Sequence, residues 1–169
     1  MSRWAAPAVA ATAGAWLVLV AAAPVIWTPL AAAVYAAGSF ICHQIPERSF
    51  HLNAFQLPVC ARCLGLYGGG AFGSIVGAAG LSRREHWRWR VPVRRQRWIA
   101  AAIAAAPTLV TFVLEWGFGW RVSNATRAIA ALPLGGAVAF VVVNALATLH
   151  YEQCAPTRPI GSSQPPTST

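Results

Sequence analysis

Residues 60–81 read CARCLGLYGGGAFGSIVGAAGL, a cysteine pair running straight into an uncharged apolar stretch. From Leu64 to Leu81 that stretch is long enough to cross most of a bilayer's hydrocarbon core, about 30 Å, as one helix. Gly65, Gly69, Gly73 and Gly77 recur every four residues and form one smooth stripe down its side. Helices in lipid associate by close packing, and small residues at this spacing let two backbones approach. The spacing fits an intramolecular contact or a homo-oligomer through the same glycines.

Composition carries the membrane reading to the rest of the chain. The sequence is 57% hydrophobic and 10% charged, with eight tryptophans in 169 residues. A soluble domain carries about 25% charged residues. The net charge of +9 comes from arginine and glutamate alone, and seven of the thirteen arginines lie between Arg83 and Arg97. A basic cluster can mark nucleic-acid binding, but this one is a short loop between apolar segments. Such loops carry arginine on the cytoplasmic side of a membrane. The partner is therefore the lipid bilayer, with no nucleic acid.

Upstream, an apolar segment from about Trp4 to Ile26 reads as a retained membrane helix in preference to a cleaved signal peptide ending at Ala21-Ala22-Ala23. Pro24 and Pro29 bracket a break at Trp27-Thr28, since proline removes a helix donor and restricts the residue before it. Leu30 to Ile41 is apolar again but only 12 residues long, which suits a half-span, a re-entrant helix or a tilted one. Downstream, the next span runs from about Ile99 to Leu114 with a bend near Pro107. The last runs from Ala125 to Leu149, capped by Ser123 or Asn124. The sequence thus predicts an all-α polytopic membrane protein with four or five transmembrane helices, one of them short or re-entrant. Residues 1–150 form a single membrane domain, with a Cys/His loop over 42–63 and the arginine loop over 82–97. A tail rich in Pro, Ser and Thr follows, over 151–169, and is expected to be disordered. With the arginine loop cytoplasmic, alternation puts the Cys/His loop outside in either helix count.

That loop holds three of the four cysteines. Cys60 and Cys63 form a C-x-x-C at a helix start, where one turn brings both sulfurs to the same side. The helix N-terminus and Arg62 both favour a thiolate there. Cys42-His43 supplies a second pair, giving C-H-x16-C-x2-C with His51 as a spare imidazole. Two Cys plus Cys/His matches a tetrahedral zinc site, and soft thiolates also suit copper. The expected ligands are Cys42, His43, Cys60 and Cys63, with adjacency of Cys42 and His43 as the difficulty. The same cysteines fit a membrane thiol–disulfide oxidoreductase using Cys60/Cys63, or a disulfide that staples the loop. A channel or transporter subunit is a third class, but only Asn144 and a few Ser/Thr offer a polar path. Asn144 reads instead as glue between helices. Glu115, Arg121 and Arg127 lie at the ends of two spans, where ionisable groups usually pair. A Glu115–Arg127 bridge is expected, with Arg48 and Arg62 as rival partners. His150 and Cys154 fall on the far side of the membrane from Cys42–Cys63. No residue pattern assigns a reaction, so whether the chain is an enzyme stays open.

The segments CHQIPERSF, PVCARCLGLYGG and EWGFGWRVSNATR together resemble an uncharacterised family of small prokaryotic integral membrane proteins. Its Cys-His-Gln motif falls on Cys42, His43 and Gln44, and its Arg-Ser-Phe element on Arg48, Ser49 and Phe50. The C-x-R-C-x-G-x-Y motif falls on Cys60, Arg62, Cys63, Gly65 and Tyr67. A later acidic residue with R-x-S-N-x-x-R falls on Glu115, Arg121, Ser123, Asn124 and Arg127. The resemblance covers about Tyr35 to Gly136, and it departs at Glu115, where aspartate is expected. It implies a shared membrane fold in the cytoplasmic (inner) membrane of a prokaryote. It also implies a shared site supported by Arg48, Arg62, Glu115, Arg121, Asn124 and Arg127, and no activity.

Overall fold

A computed structural model describes residues 5–82 and 94–154, with side-chain environments over 6–80 and 99–146. Five α-helices account for most of it: α1 (Ala5–Ala22), α2 (Thr28–Ser39), α3 (Ala61–Ser82), α4 (Arg94–Gly117) and α5 (Asn124–Cys154). A 3-10 turn (Pro46–Arg48) and two short strands, β1 (Ser49–Leu52) and β2 (Phe55–Cys60), lie between α2 and α3. The protein is a helical polytopic membrane protein. Three segments, Ala61–Gly80, Ile99–Gly117 and Asn124–Leu146, are long and apolar enough to cross a membrane, and the apolar Ala6–Ala22 is shorter. At 1.5 Å per residue, each of the three approaches or exceeds the hydrocarbon thickness of about 30 Å.

The break anticipated around Trp27 is present: α1 stops at Ala22, and α2 starts at Thr28 with Pro29 in its first turn. Proline is tolerated there because the N–H it lacks has no helical partner anyway. At the start of α5, Ser123 is the cap, its Oγ accepting the Thr126 backbone N–H at 3.1 Å. Pro107 and Pro133 lie inside α4 and α5. α5 continues to Cys154, past the Leu149 expected from hydropathy. Most of the arginine loop, residues 83–93, and the tail beyond Cys154 lie outside the described residues.

Packing follows the small residues. α3 is the hub, lying against α5 on one side and α1 on the other, while α4 packs on α5. Gly65, Gly69 and Gly73 are buried, and a Cβ on any of them would collide with a backbone carbonyl oxygen of α5: Ala128, Leu132 and Gly136 respectively. Gly135 does the same in reverse, against the Leu66 carbonyl. The glycine stripe therefore faces α5 of the same chain. Along the flanks, Ile103, Leu109, Val110, Ile129, Val138 and Val141 are exposed, as lipid-facing side chains are. Asn144 does not reach another helix in its described hydrogen bond; its Nδ2 donates to Phe140 O at 2.8 Å within α5. That bond uses one of the amide's N–H groups within its own helix.

Candidate functional site

The hairpin between α2 and α3 builds the site. β1 and β2 pair antiparallel, with His51 opposite Gln56 and Leu52 opposite Phe55. The two loop residues, Asn53 and Ala54, both adopt positive φ, 51° and 68°. A two-residue hairpin of the primed type needs that geometry, because its twist matches the strands. Hydropathy did not reveal the hairpin, since four- and six-residue strands in a polar loop leave no clear alternation.

Gln44 ties the hairpin to α2. Its own φ is +50°, which turns the chain back after Cys42-His43. Its Nε2 donates to Tyr35 O and Pro58 O, both at 2.8 Å. One amide thus satisfies a carbonyl near the end of α2 and another in β2. A Cβ on Gly38 would stand 2.5 Å from Pro58 O, so the absence of a side chain there lets β2 approach α2. Gln56 Nε2 in turn donates to Gln44 O at 2.6 Å and Ser49 Oγ at 3.2 Å, while its backbone carbonyl accepts from the Tyr35 hydroxyl. From the other side, Asn124 Nδ2 donates to Ser49 O at 2.9 Å. The loop is held by this polar mesh at the end of the helices where α3 and α5 begin and α4 finishes.

The mesh brings three sulfurs together. The Sγ atoms of Cys42, Cys60 and Cys63 all lie within 4.8 Å of one another. None is in a disulfide. Cys42 is buried in a small core with Val20, Ala23, Val34 and Val59, and Cys60, Cys63, Trp16, Tyr35 and Tyr67 pack against it. The Cys60 backbone N–H donates to Cys42 Sγ at 3.1 Å. Hydrogen bonds from the Cys63 thiol first, then from its backbone N–H, the Cys42 thiol and the Arg62 backbone, outweigh burial and hold the Cys60 thiol down to about 5. Three soft donors at this spacing are close enough to hold one metal ion. Tetrahedral zinc with Zn–S bonds near 2.3 Å places its sulfurs about 3.8 Å apart, within reach of a small contraction.

The histidines are placed differently. His43 and His51 are both exposed, and neither belongs to the three-sulfur group. Side chains of adjacent residues diverge unless the backbone folds sharply, and here Cys42 points inward while His43 points out.

Beside the sulfurs sits a buried ion triad. Glu115 Oε2 accepts from Arg62 Nη2 at 2.6 Å, and Oε1 accepts from Arg127 Nε at 2.5 Å. The Glu115 side chain is 4% exposed, with Arg62 and Arg127 at 16% and 11%. Arg127 Nη1 also donates to Asn124 Oδ1 at 2.5 Å and Glu47 O at 3.5 Å. The rivalry between Arg62 and Arg127 for Glu115 is resolved by sharing, one guanidinium on each carboxylate oxygen. Arg48 stays apart, its guanidinium over the Trp116 ring at 5.5 Å, and Arg121 is exposed. Gln44, Gln56 and Tyr35 were the working residues least visible in sequence; only the position of Gln44 directly after Cys-His hinted at a role.

A multi-span helical membrane protein with a three-thiol cluster tied to a buried ion triad is the class that fold and site define. The chain belongs to the family described as "Predicted membrane protein (DUF2085)", whose model matches residues 42–141, more than half its length. It is 44% identical over 50 residues to "Uncharacterized protein MJ1492" of Methanocaldococcus jannaschii, covering 30% of this chain and 32% of that protein. It is 34% identical over 101 residues to an "Uncharacterized protein" of Methanothermobacter thermautotrophicus, covering 57% and 78% respectively. The chain thus spans about a third of the length of the first relative and over three quarters of the second. No solved structure matches.

Proposed function

We propose that the protein binds a single zinc ion through the thiolates of Cys42, Cys60 and Cys63, on the extracytoplasmic side of the membrane. The observation that carries this reading is the convergence of three unlinked sulfurs from two chain segments within 4.8 Å. The 3.1 Å N–H···S bond from Cys60 to Cys42 supports it, because such bonds orient and stabilise metal-bound thiolates. Zinc would supply a cationic centre that holds α2, β2 and the start of α3 together. Three protein ligands leave a fourth position for water or an incoming donor. His43 is the nearest nitrogen donor in sequence, and a His43→Ala variant decides whether it takes that place. The seven arginines between Arg83 and Arg97, in the stretch of sequence that runs from the end of α3 into the start of α4, support the sidedness through the positive-inside rule.

A second reading has its own observation. The Cys60 and Cys63 sulfurs are unlinked and within 4.8 Å at the start of α3, close enough to join as a disulfide. The hydrogen bond from the Cys63 thiol favours the Cys60 thiolate that thiol–disulfide exchange needs. The Cys60 thiolate and the Cys63 thiol would then give up two electrons and one proton to a disulfide or a membrane quinone, forming their own S–S bond. Elemental analysis and thiol counting on the same detergent-purified sample separate the two. About one zinc per chain, lost in Cys60→Ser/Cys63→Ser, supports the metal site. No metal, with two thiols appearing only after reduction, sinks it.

A further inference from the structure

Phe112 and Trp116 lie one turn apart on α4, and their rings stack at 5.9 Å between centroids with 25° between planes. Two cations from elsewhere in the chain cover this ladder. The Arg62 guanidinium lies 5.6 Å from the Phe112 centroid and that of Arg48 lies 5.5 Å from the Trp116 centroid. Cation–π contact holds them in place but leaves their N–H groups in need of acceptors. Arg62 has one, Glu115, while its Nε is buried with no partner. Among the described residues, Arg48 pairs with no carboxylate, and no hydrogen bond of its guanidinium is found. Glu115 is the one acid in an ion pair there, shared by Arg62 and Arg127, and the exposed Glu47 contributes only its backbone carbonyl.

The site therefore carries excess positive charge at the edge of a low-dielectric region, where an unbalanced charge is costly. Planar guanidinium groups with free donors match the oxygens of a phosphate. Depth identifies the source. Trp116, Phe118 and Trp120 are 67%, 69% and 65% exposed beside the cluster, and exposed aromatics at the end of a span mark the headgroup level. We propose that Arg48 and Arg62 form a binding site for the phosphate of an anionic phospholipid, with Phe112 and Trp116 as the platform. The site is independent of the metal reading.

Native mass spectrometry of the full-length protein in detergent tests this, with phosphatidylglycerol titrated against phosphatidylcholine of the same acyl chains and against inorganic phosphate. The expected result is preferential retention of one phosphatidylglycerol per chain. Arg48→Gln should weaken it about tenfold, as loss of a charged hydrogen bond does, and Arg48→Lys less. Arg48 holds no ion pair, so this variant should keep its melting temperature. Arg158→Gln in the C-terminal tail removes the same charge elsewhere and should leave retention unchanged. Equal retention of the two lipids, an equal loss with Arg158→Gln, or Arg48-dependent binding of free phosphate without the lipid would overturn the proposal.

Discussion

Arg62 stands between Cys60 and Cys63 in sequence, yet its guanidinium reaches α4 and donates to Glu115 Oε2 at 2.6 Å. The middle of the C-x-x-C is thus an anchor: it ties the start of α3 to the end of α4 while the flanking thiols turn towards Cys42. Glu115 completes the tie by taking Arg127 of α5 on its other oxygen. One carboxylate joins three helices at the end of the bundle that carries the thiols.

Removing that carboxylate leaves two guanidinium groups buried without their partner. Breaking a buried ion pair from one side costs about 3 kcal/mol or more. Glu115→Gln should therefore lower the detergent melting temperature sharply, whereas Glu115→Asp should recover most of it if one oxygen still reaches Arg127. A melting curve for Glu115→Gln that overlays the native one would show that the triad contributes nothing to stability.

Two glycines on the same helix make opposite predictions. Gly69→Ala drives a methyl into the Leu132 carbonyl and must push α3 from α5, at a cost of about 1–3 kcal/mol. Gly80 has nothing within 4 Å of an added Cβ, so Gly80→Ala should be neutral, or stabilising by about 1 kcal/mol through helix propensity. Comparative unfolding in mild detergent measures both. Equal effects would mean that the α3–α5 approach is looser than described.

Gln44→Ala strips the donor from Tyr35 O and Pro58 O. Unsatisfied buried polar groups cost about 1–3 kcal/mol. Gln44→Glu should be worse at neutral pH, since it turns a carboxylate oxygen on two carbonyls. Both variants should make Cys42 more accessible, read as faster alkylation by a maleimide in the metal-free protein. Unchanged labelling would remove Gln44 from the task of positioning Cys42.

Ala54 sits at φ +68° in the hairpin turn. A left-handed conformation costs an L-residue about 1–2 kcal/mol relative to glycine. Ala54→Gly should accordingly raise stability by about 1 kcal/mol, visible as a higher melting temperature. A decrease would indicate that the turn is not of the primed type.

Much of the bundle was readable because it depends on local patterns. The Pro24/Pro29 break, the Ser123 cap and the C-x-x-C at the start of a span each follow from a few neighbouring residues. The hairpin escaped notice because its strands are too short to show a period, and its turn uses Ala where glycine would have signalled positive φ. The outward placement of His43, apart from the three sulfurs, was not legible for a different reason: spacing counts ligands, while backbone direction decides which of two adjacent side chains faces inward.

The amino-acid sequence by itself determined a membrane-embedded helical chain with a cysteine pair opening its glycine-lined helix. Hydrophobic run length, small-residue spacing and capping act over a few residues and survive in one dimension. Only the tertiary structure decided that Cys42 joins Cys60 and Cys63, that Glu115 serves two arginines, and that the glycines face α5. Each of those contacts joins residues far apart in the chain: Glu115 and Arg127 are 12 positions apart, Arg62 and Glu115 53, and Gly65 and Ala128 63. Their partners are selected by which helix backbones can approach and which buried charge must be neutralised, and no local pattern records that choice.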